Sequence, residues 1–316
     1  MYEFSPCVDD AIWDSLLKQS SHSTPFCTSS YLRSTGQSGS RYILTRQSIP
    51  VLLAILTRTK DERKFSDYQG LMIIGSAPEN YSDDLSLINH IQEFLKLAIL
   101  EQDYLEFSLN PSFMDIRAFQ WFTFDNSAEI EMTLTVRYTG IIDLNRYKDF
   151  DKYLDQISKS RSRDYLSKAS NLISQVNQIT DIDVFIQMYK ETFKHQGVVL
   201  DEKTIDKVLA IITSGVTNNF GELRLVRTIE GEVVSGAFFL MSKNARYYQF
   251  GASSELKNKF PGNSFLILEA IRDSFASKHE LFDISGLNSP HRGFFKASFG
   301  ARPKSFFEIQ LRRVSS

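Results

Sequence analysis

The feature that most constrains this chain is a repeat: its second half runs through the same order of elements as its first. Leu85 to Leu100 reads as a helix, with Leu85, Ile88, Ile91, Leu95 and either Ala98 or Ile99 at helical spacing. A strand follows, Tyr104 to Leu109, broken at Asn110-Pro111. In the second half Ser264 to Lys278 reads as the helix, Leu281 to Ile284 as the strand, and Leu287-Asn288-Ser289-Pro290 as the break. The two Leu-Asn pairs are 178 residues apart, close to the offset between the two helices. Extended segments precede each helix. Arg41 to Thr59 reads as a hairpin followed by Phe65 to Gly75, and Glu222 to Ile229 with Glu232 to Ser242 as a hairpin followed by Ala245 to Gly251. Such self-similarity predicts two related α/β units in tandem, 1-145 and 146-316, each a mixed, mostly antiparallel sheet flanked by helices.

The remaining segments fill in this frame. Ala11 to Gln19 and Thr24 to Ser34 read as short helices, and Phe113 to Phe119 as another. Glu129 to Tyr138 is an expected strand, with TGIIDL a further short one. Tyr147, Phe150, Tyr153, Leu154 and Ile157 form one apolar helical stripe. Tyr165, Leu166, Ala169, Leu172, Ile173 and Val176 form the next. Ile182 to Lys194 and Thr204 to Thr213 are two more helices, and Ser305 to Arg312 is a last strand.

Composition excludes several classes. The net charge is −2, so nothing draws the whole chain to nucleic acid or an anionic membrane, and DNA is not an expected partner. The longest clean apolar run, Val51 to Leu56, is far too short to span a bilayer. The N-terminus has acids where a signal peptide needs a basic start, which makes a cytoplasmic chain the expectation. Cys7 and Cys27 lack metal-ligand or redox spacing, and the five histidines are scattered, so no metal site is expected.

The richest chemistry lies in FDISGLNSPHRGFFKASFG, Phe282 to Gly300. It reads as a buried strand end, a polar loop and a short basic-aromatic helix. Open α/β sheets place ligands at such strand ends, beside helix N-termini. Asp283 either orients an amine or accepts its proton, or else serves as a cap or structural hydrogen-bonding residue. Lys296 is either a catalytic cation or a surface lysine, and His291 either a base or a surface histidine. Arg161, Arg163 and Lys168 open a helix where cations oppose the macrodipole unless an anion compensates; pairing with Asp155 and Asp164 is the other reading. Alternation puts Tyr248 on the opposite face from Tyr247 and Gln249, so part of this strand lines a cleft.

This order of elements resembles the GNAT acyltransferase fold. Two such units in one chain resemble the Fem-type family, which builds peptidoglycan cross-bridges, and its shorter acetyltransferase-like relatives linked to surface polysaccharides. Four stretches carry the likeness, in the family's order: TPFCTSSYL; YTGIIDLNRYKDF with SKSRSRDYLSKA; ARYYQFGASSELKNKFPGNSFLILEAI; and FDISGLNSPHRGFFKASFG. There is one departure: family members that use aminoacyl-tRNA often carry a long coiled-coil insertion, and no stretch here is long enough.

The resemblance implies an acyltransferase, with acyl-CoA as co-substrate or aminoacyl-tRNA in its place. The acceptor would be an amine on a small, nucleotide-linked or lipid-linked cell-envelope precursor. An inactive module that binds a nucleotide sugar is a third reading. The resemblance makes Lys296 catalytic, with Asp283, and assigns Phe295, Gly262, Asn263, Ser264 and Asn288 to the donor. The usual Q/R-x-x-G-x-G/A pattern is absent before Gly262. Arg161, Arg163, Tyr248 and Gln249 fall to the acceptor. The first unit has no lysine matching Lys296 and is expected to bind acceptor.

Overall fold

The computed structural model describes residues 1–56, 67–75, 79–168, 171–176 and 181–314. The chain divides into two compact units, Met1–Arg137 with Ser305–Ser316, and Tyr138–Lys304. Compared with a division at 145/146, this puts 138–145 in the second unit and the last strand in the first.

The first unit contains β1 (Tyr2–Pro6), α1 (Asp10–Leu17), α2 (Ser29–Ser34), β2 (Arg41–Arg46), β3 (Ile49–Ile55), β4 (Leu71–Ile73), α3 (Tyr81–Glu101), β5 (Tyr104–Ser108) and α4 (Arg117–Asp125). β6 (Ile130–Asp143) begins here and continues into the second unit. There follow α5 (Phe150–Leu154), α6 (Lys159–Lys168), β7 (Leu172–Val176), α7 (Asp181–Lys194), α8 (Glu202–Thr217), β8 (Gly221–Thr228), β9 (Val233–Met241), β10 (Ala245–Ser253), α9 (Gly262–Ala276), β11 (Leu281–Gly286) and α10 (Pro290–Ala297). β12 (Arg302–Arg313) closes the chain.

In the first unit β1-β2-β3-β4 form an antiparallel sheet. α3 starts at Asn80, whose side chain accepts from the amides of Ser82 and Asp83. It buries Ile88, Ile91, Phe94, Leu95 and Ala98 against Leu44, Leu52, Phe107 and Phe119. β5 pairs antiparallel with β12, Leu105 opposite Leu311 and Phe107 opposite Ile309. In the second unit the order is β6-β11-β10-β9-β8-β7. Only the β10–β11 pair in this run is parallel. α9 packs Phe265, Leu266, Leu268 and Ile271 into a core with Val234, Phe239 and Phe282. Each unit is thus completed by the last strand of the other half: β12 flanks β5, and β6 flanks β11.

Four expectations change. Leu172, Ile173 and Val176 form the edge strand β7 on β8, not a continued helix. Short apolar runs fit either period, and the β-branched residues settle this one as a strand; Ala169 lies outside the described residues. The short helix after β5 is Arg117–Asp125 rather than 113–119, because Asp115 caps the Arg117 amide at 2.9 Å. The two strands expected between 129 and 144 are the single strand β6, and Tyr2–Pro6 adds a strand that composition hid. Thr57–Thr59 of the expected hairpin and Phe65–Ser66 lie outside the described residues. No helix among them is long and apolar enough to cross a membrane.

Candidate active site

β10 and β11 run side by side only from Ala245–Leu281 to Tyr247–Asp283. Beyond that the ladder ends and the strands part, β10 continuing against β9 and β11 against β6. Two irregularities mark the fork. β10 shifts register between Tyr248 and Phe250, leaving Gln249 as the extra residue. β11 shifts between Asp283 and Gly286, where Ser285 takes a left-handed φ of 69°. Asp283 holds that turn: its Oδ1 accepts from the Thr139 hydroxyl and from the Ser285 amide, both at 2.6 Å. It is only 2% exposed. A parted pair of strands offers main-chain donors and acceptors to an extended, amide-bearing ligand.

α10 sets Lys296 at the mouth of this fork. Gly293 lets the helix sit tightly on the preceding loop, since a Cβ there would stand 2.5 Å from the Leu287 carbonyl oxygen. Lys296 Nζ donates to the Gly286 carbonyl at 3.1 Å and lies 5.7 Å from the centre of the Tyr248 ring. The Tyr248 ring lies along its own strand, over Gly251, a position where any Cβ would collide with the phenol oxygen. Burial pushes the Tyr248 pKa up to about 12, helped by the nearby Tyr189. The phenol therefore stays protonated at neutral pH.

α9 points its N-terminus toward the same region. Pro261 precedes it without a side-chain cap. Gly262 is required by close approach to β9: a Cβ would stand 2.5 Å from Val234 Cγ1 and 2.6 Å from Ser235 Oγ. Asn263 Nδ2 donates to Ser253 Oγ at 2.6 Å. Ser264 Oγ accepts from Arg161 Nη1 at 2.8 Å. Arg161 also stacks over Phe295, 4.7 Å from the ring centre. Uncapped first-turn amides form an anion-binding surface.

The predicted residues therefore fall into groups. Lys296 and Tyr248 meet at the fork, with Gln249 on its β10 arm and Asp283 under its β11 arm. Gly262, Asn263, Ser264, Phe295 and Arg161 gather at the start of α9. Asn288 is exposed and clamps β6, accepting from the Tyr138 amide at 2.9 Å and donating to its carbonyl at 3.1 Å. Arg163 is exposed to solvent on α6. Sequence reasoning missed Gly286, Thr139 and Ser235. Only Ser235 leaves a trace in the sequence, a lone hydroxyl in the apolar run VVSGAFFL.

The first unit has its own parting of strands, and it is closed. Ser108 donates its amide to Gln69, as β11 meets β10 in the second unit. The loop after α1 then fills the gap. Ser20 bridges Gly75 in parallel, the Gly75 amide donates to the Gln19 carbonyl, and Asn110 Nδ2 donates to the His22 carbonyl at 3.1 Å. His22 packs against Phe113, ring centres 5.3 Å apart. The loop in the same place of the second unit, after α7, is exposed from His195 through Val199.

Comparison with known proteins agrees with this geometry. The acetyltransferase (GNAT) domain matches residues 160–293. No curated protein matches the sequence. Among solved structures, FemX superimposes with a TM-score of 0.69 at 13% identity, covering 96% of each chain. A tandem GNAT protein from the clavulanic acid biosynthesis pathway gives 0.53 at 10% identity, covering 100% of this chain and 99% of that one. The C-terminal domain of a putative lysylphosphatidylglycerol synthetase from Agrobacterium fabrum gives 0.55 at 13%, covering 96% and 91%.

Residues 160–293, which carry the forked sheet and the helix start at one arm, are an acetyltransferase (GNAT) domain, the domain of N-acyltransferases. The chain as a whole has the fold of FemX and of the tandem GNAT protein. Among the described residues no cluster of His, Cys, Asp and Glu is arranged to hold a metal ion.

Proposed function

We propose that this protein transfers an acyl group from acyl-CoA to an amine of a cell-envelope precursor such as an amino sugar. The observation that carries the reading is the contrast between the forks: the first is closed by its own chain, while the second has Lys296 and Tyr248 at its mouth. On this reading the first unit serves acceptor binding and the second the transfer.

In the reaction the amine nitrogen attacks the thioester carbonyl, the C–S bond breaks, the thiolate leaves, and the amine's proton passes to solvent or thiolate. The chain's part is to hold the carbonyl between β10 and β11 and to stabilise the charge that grows on its oxygen. The Lys296 ammonium, fixed by the Gly286 carbonyl, is suited to that charge. The protonated Tyr248 phenol is suited to donate toward the leaving sulfur. Asp283 acts through the Ser285 turn it holds.

The test is a thermal-shift series with acetyl-CoA, free CoA and a UDP-amino sugar, joined to an assay of CoA release. A ligand at a hundred times its Kd adds about 2.7 kcal/mol of stability. Stabilisation by CoA species, with CoA release when an amine is supplied, is the expected result. Stabilisation by the sugar nucleotide alone overturns acyl-CoA as donor and leaves aminoacyl-tRNA transfer or binding without chemistry.

A further inference from the structure

Thr139 and Asp283 are buried together, 0% and 2% exposed, one on β6 and one on β11. The Thr139 hydroxyl donates to Asp283 Oδ1, and the same oxygen accepts from the Ser285 amide, both at 2.6 Å. A buried carboxylate is costly, and a plain antiparallel ladder needs none. Here the ladder is not plain. Between Asp283 and Gly286 the register slips, and Ser285 takes a left-handed φ of 69° that a side chain disfavours. The carboxylate holds that turn in place. Past the turn Gly286 rejoins the ladder, opposite Thr139 itself. Its carbonyl accepts from Lys296 Nζ at 3.1 Å.

The far side of Gly286 is held from the same place on β6. Leu287 donates its amide to the Tyr138 carbonyl at 2.8 Å. Asn288 accepts from the Tyr138 amide and donates to the Tyr138 carbonyl. Leu287 in turn supports α10, its carbonyl packed closely against Gly293. Tyr138 and Thr139 thus fix both the seat of α10 and the carbonyl that receives its lysine. Tyr138 acts here through its main chain, which almost any residue could supply. The Thr139 hydroxyl is the part that only a particular side chain provides.

We propose that Thr139 is a positioning residue for Lys296, acting through Asp283 and the Ser285–Gly286 turn. Its hydroxyl holds the carboxylate, the carboxylate holds the turn, and the turn aims the Gly286 carbonyl at the ammonium. The proposal rests on the acyl-transfer reading above, in which Lys296 stabilises charge growing on the thioester oxygen, and it names what sets that cation in place. An ammonium freed from Gly286 samples many positions on its flexible stem, and charge that must be reoriented during the reaction stabilises it less. Asp283 on this account serves the turn and takes no proton from the amine.

Thr139→Val removes the hydroxyl and keeps the shape, while Thr139→Ser keeps the hydroxyl. The first readout needs no substrate: the full chain is treated with a lysine-reactive acylating reagent, and modification of Lys296 is measured by peptide mass spectrometry against exposed Lys18. Thr139→Val is expected to raise the Lys296:Lys18 ratio several-fold, and Thr139→Ser to restore the wild-type ratio. The second readout is turnover with acetyl-CoA and an amine. Thr139→Val is expected to lower kcat by about ten- to a hundredfold with little change in donor KM, as for other misplaced catalytic groups. In the Lys296→Met background the same substitution is expected to add no further loss, since its effect runs through the lysine. The proposal is overturned if the labelling ratio is unchanged in Thr139→Val, if Thr139→Ser behaves like Thr139→Val, or if the losses from Thr139 and Lys296 multiply. Should Thr139→Val not fold, Asp283→Asn decides, and wild-type labelling there overturns the proposal. Wild-type turnover with labelling indifferent to Thr139 defeats this inference alone. Labelling that responds to Thr139 in a protein without turnover defeats the acyl-transfer reading instead.

Discussion

The Lys296 ammonium donates to the Gly286 carbonyl at 3.1 Å, so the cation of α10 is tied to the last residue of β11. The tether fixes where positive charge sits relative to the fork. Lys296→Met removes that charge while keeping much of the side-chain volume. The expected result is a fall in kcat of about a hundred- to a thousandfold, roughly 2.7–4 kcal/mol, as for other lost oxyanion donors. The KM for donor should change little. Steady-state turnover checks it, and wild-type turnover in the variant would sink the assignment.

Gly262 lies too close to β9 for any side chain. Gly262→Ala would press a methyl against Val234 and Ser235 and lift the start of α9. A cost of about 1–3 kcal/mol is expected from such overpacking. Donor affinity should fall further than stability does, because the first-turn amides move with the helix. Urea denaturation and a donor titration on the same variant separate the two effects.

Lys278 follows α9 with a left-handed φ of 56°, and the His279 amide donates back to the Ser274 carbonyl, an arrangement that favours glycine. Lys278→Gly is expected to stabilise the fold by up to about 1 kcal/mol, since the Cβ strain of that conformation is removed. A rise in Tm with unchanged turnover is the sign to look for. A fall in Tm would mean that the lysine side chain contributes something the glycine cannot replace.

His22 is buried in the first unit, and burial depresses its pKa from 6.5 to about 4. Between those values the unfolded chain binds a proton that the folded one does not. Stability therefore falls as pH drops from 6.5 to 4, by about 1.4 kcal/mol per unit at most. Above pH 6.5 this histidine contributes no slope. His22→Gln should flatten the acid limb of a stability-versus-pH curve, and an unchanged limb would remove His22 as its source.

The parts of the site that could be read in the sequence are those written locally. Phe295-Lys296 follows a polar loop that follows an apolar strand, and Pro261-Gly262 announces the start of α9. The rest depends on distant residues brought together. Nothing near Asp283 names Thr139, 144 residues away, as its partner. Nothing near Arg161 names Ser264 or Ser298. The element order was legible because the strands and helices of the second unit bury strong apolar stripes. It failed at Leu172–Val176, where five residues hold too little pattern to separate a period of two from one of 3.6. The swap of last strands was invisible for a different reason: alternation marks β6 and β12 as strands, and only pairing tells which neighbour each one takes.

That swap governs the order in which the protein can be finished during synthesis. Residues 1–137 leave the ribosome without the strand that borders β5, so β5 waits with one edge bare. β11, made later, meets its neighbour at once, because β6 has already emerged. The half that is translated first is therefore completed only once β12 has been made. A premature stop before residue 305 would therefore injure the half that is translated first.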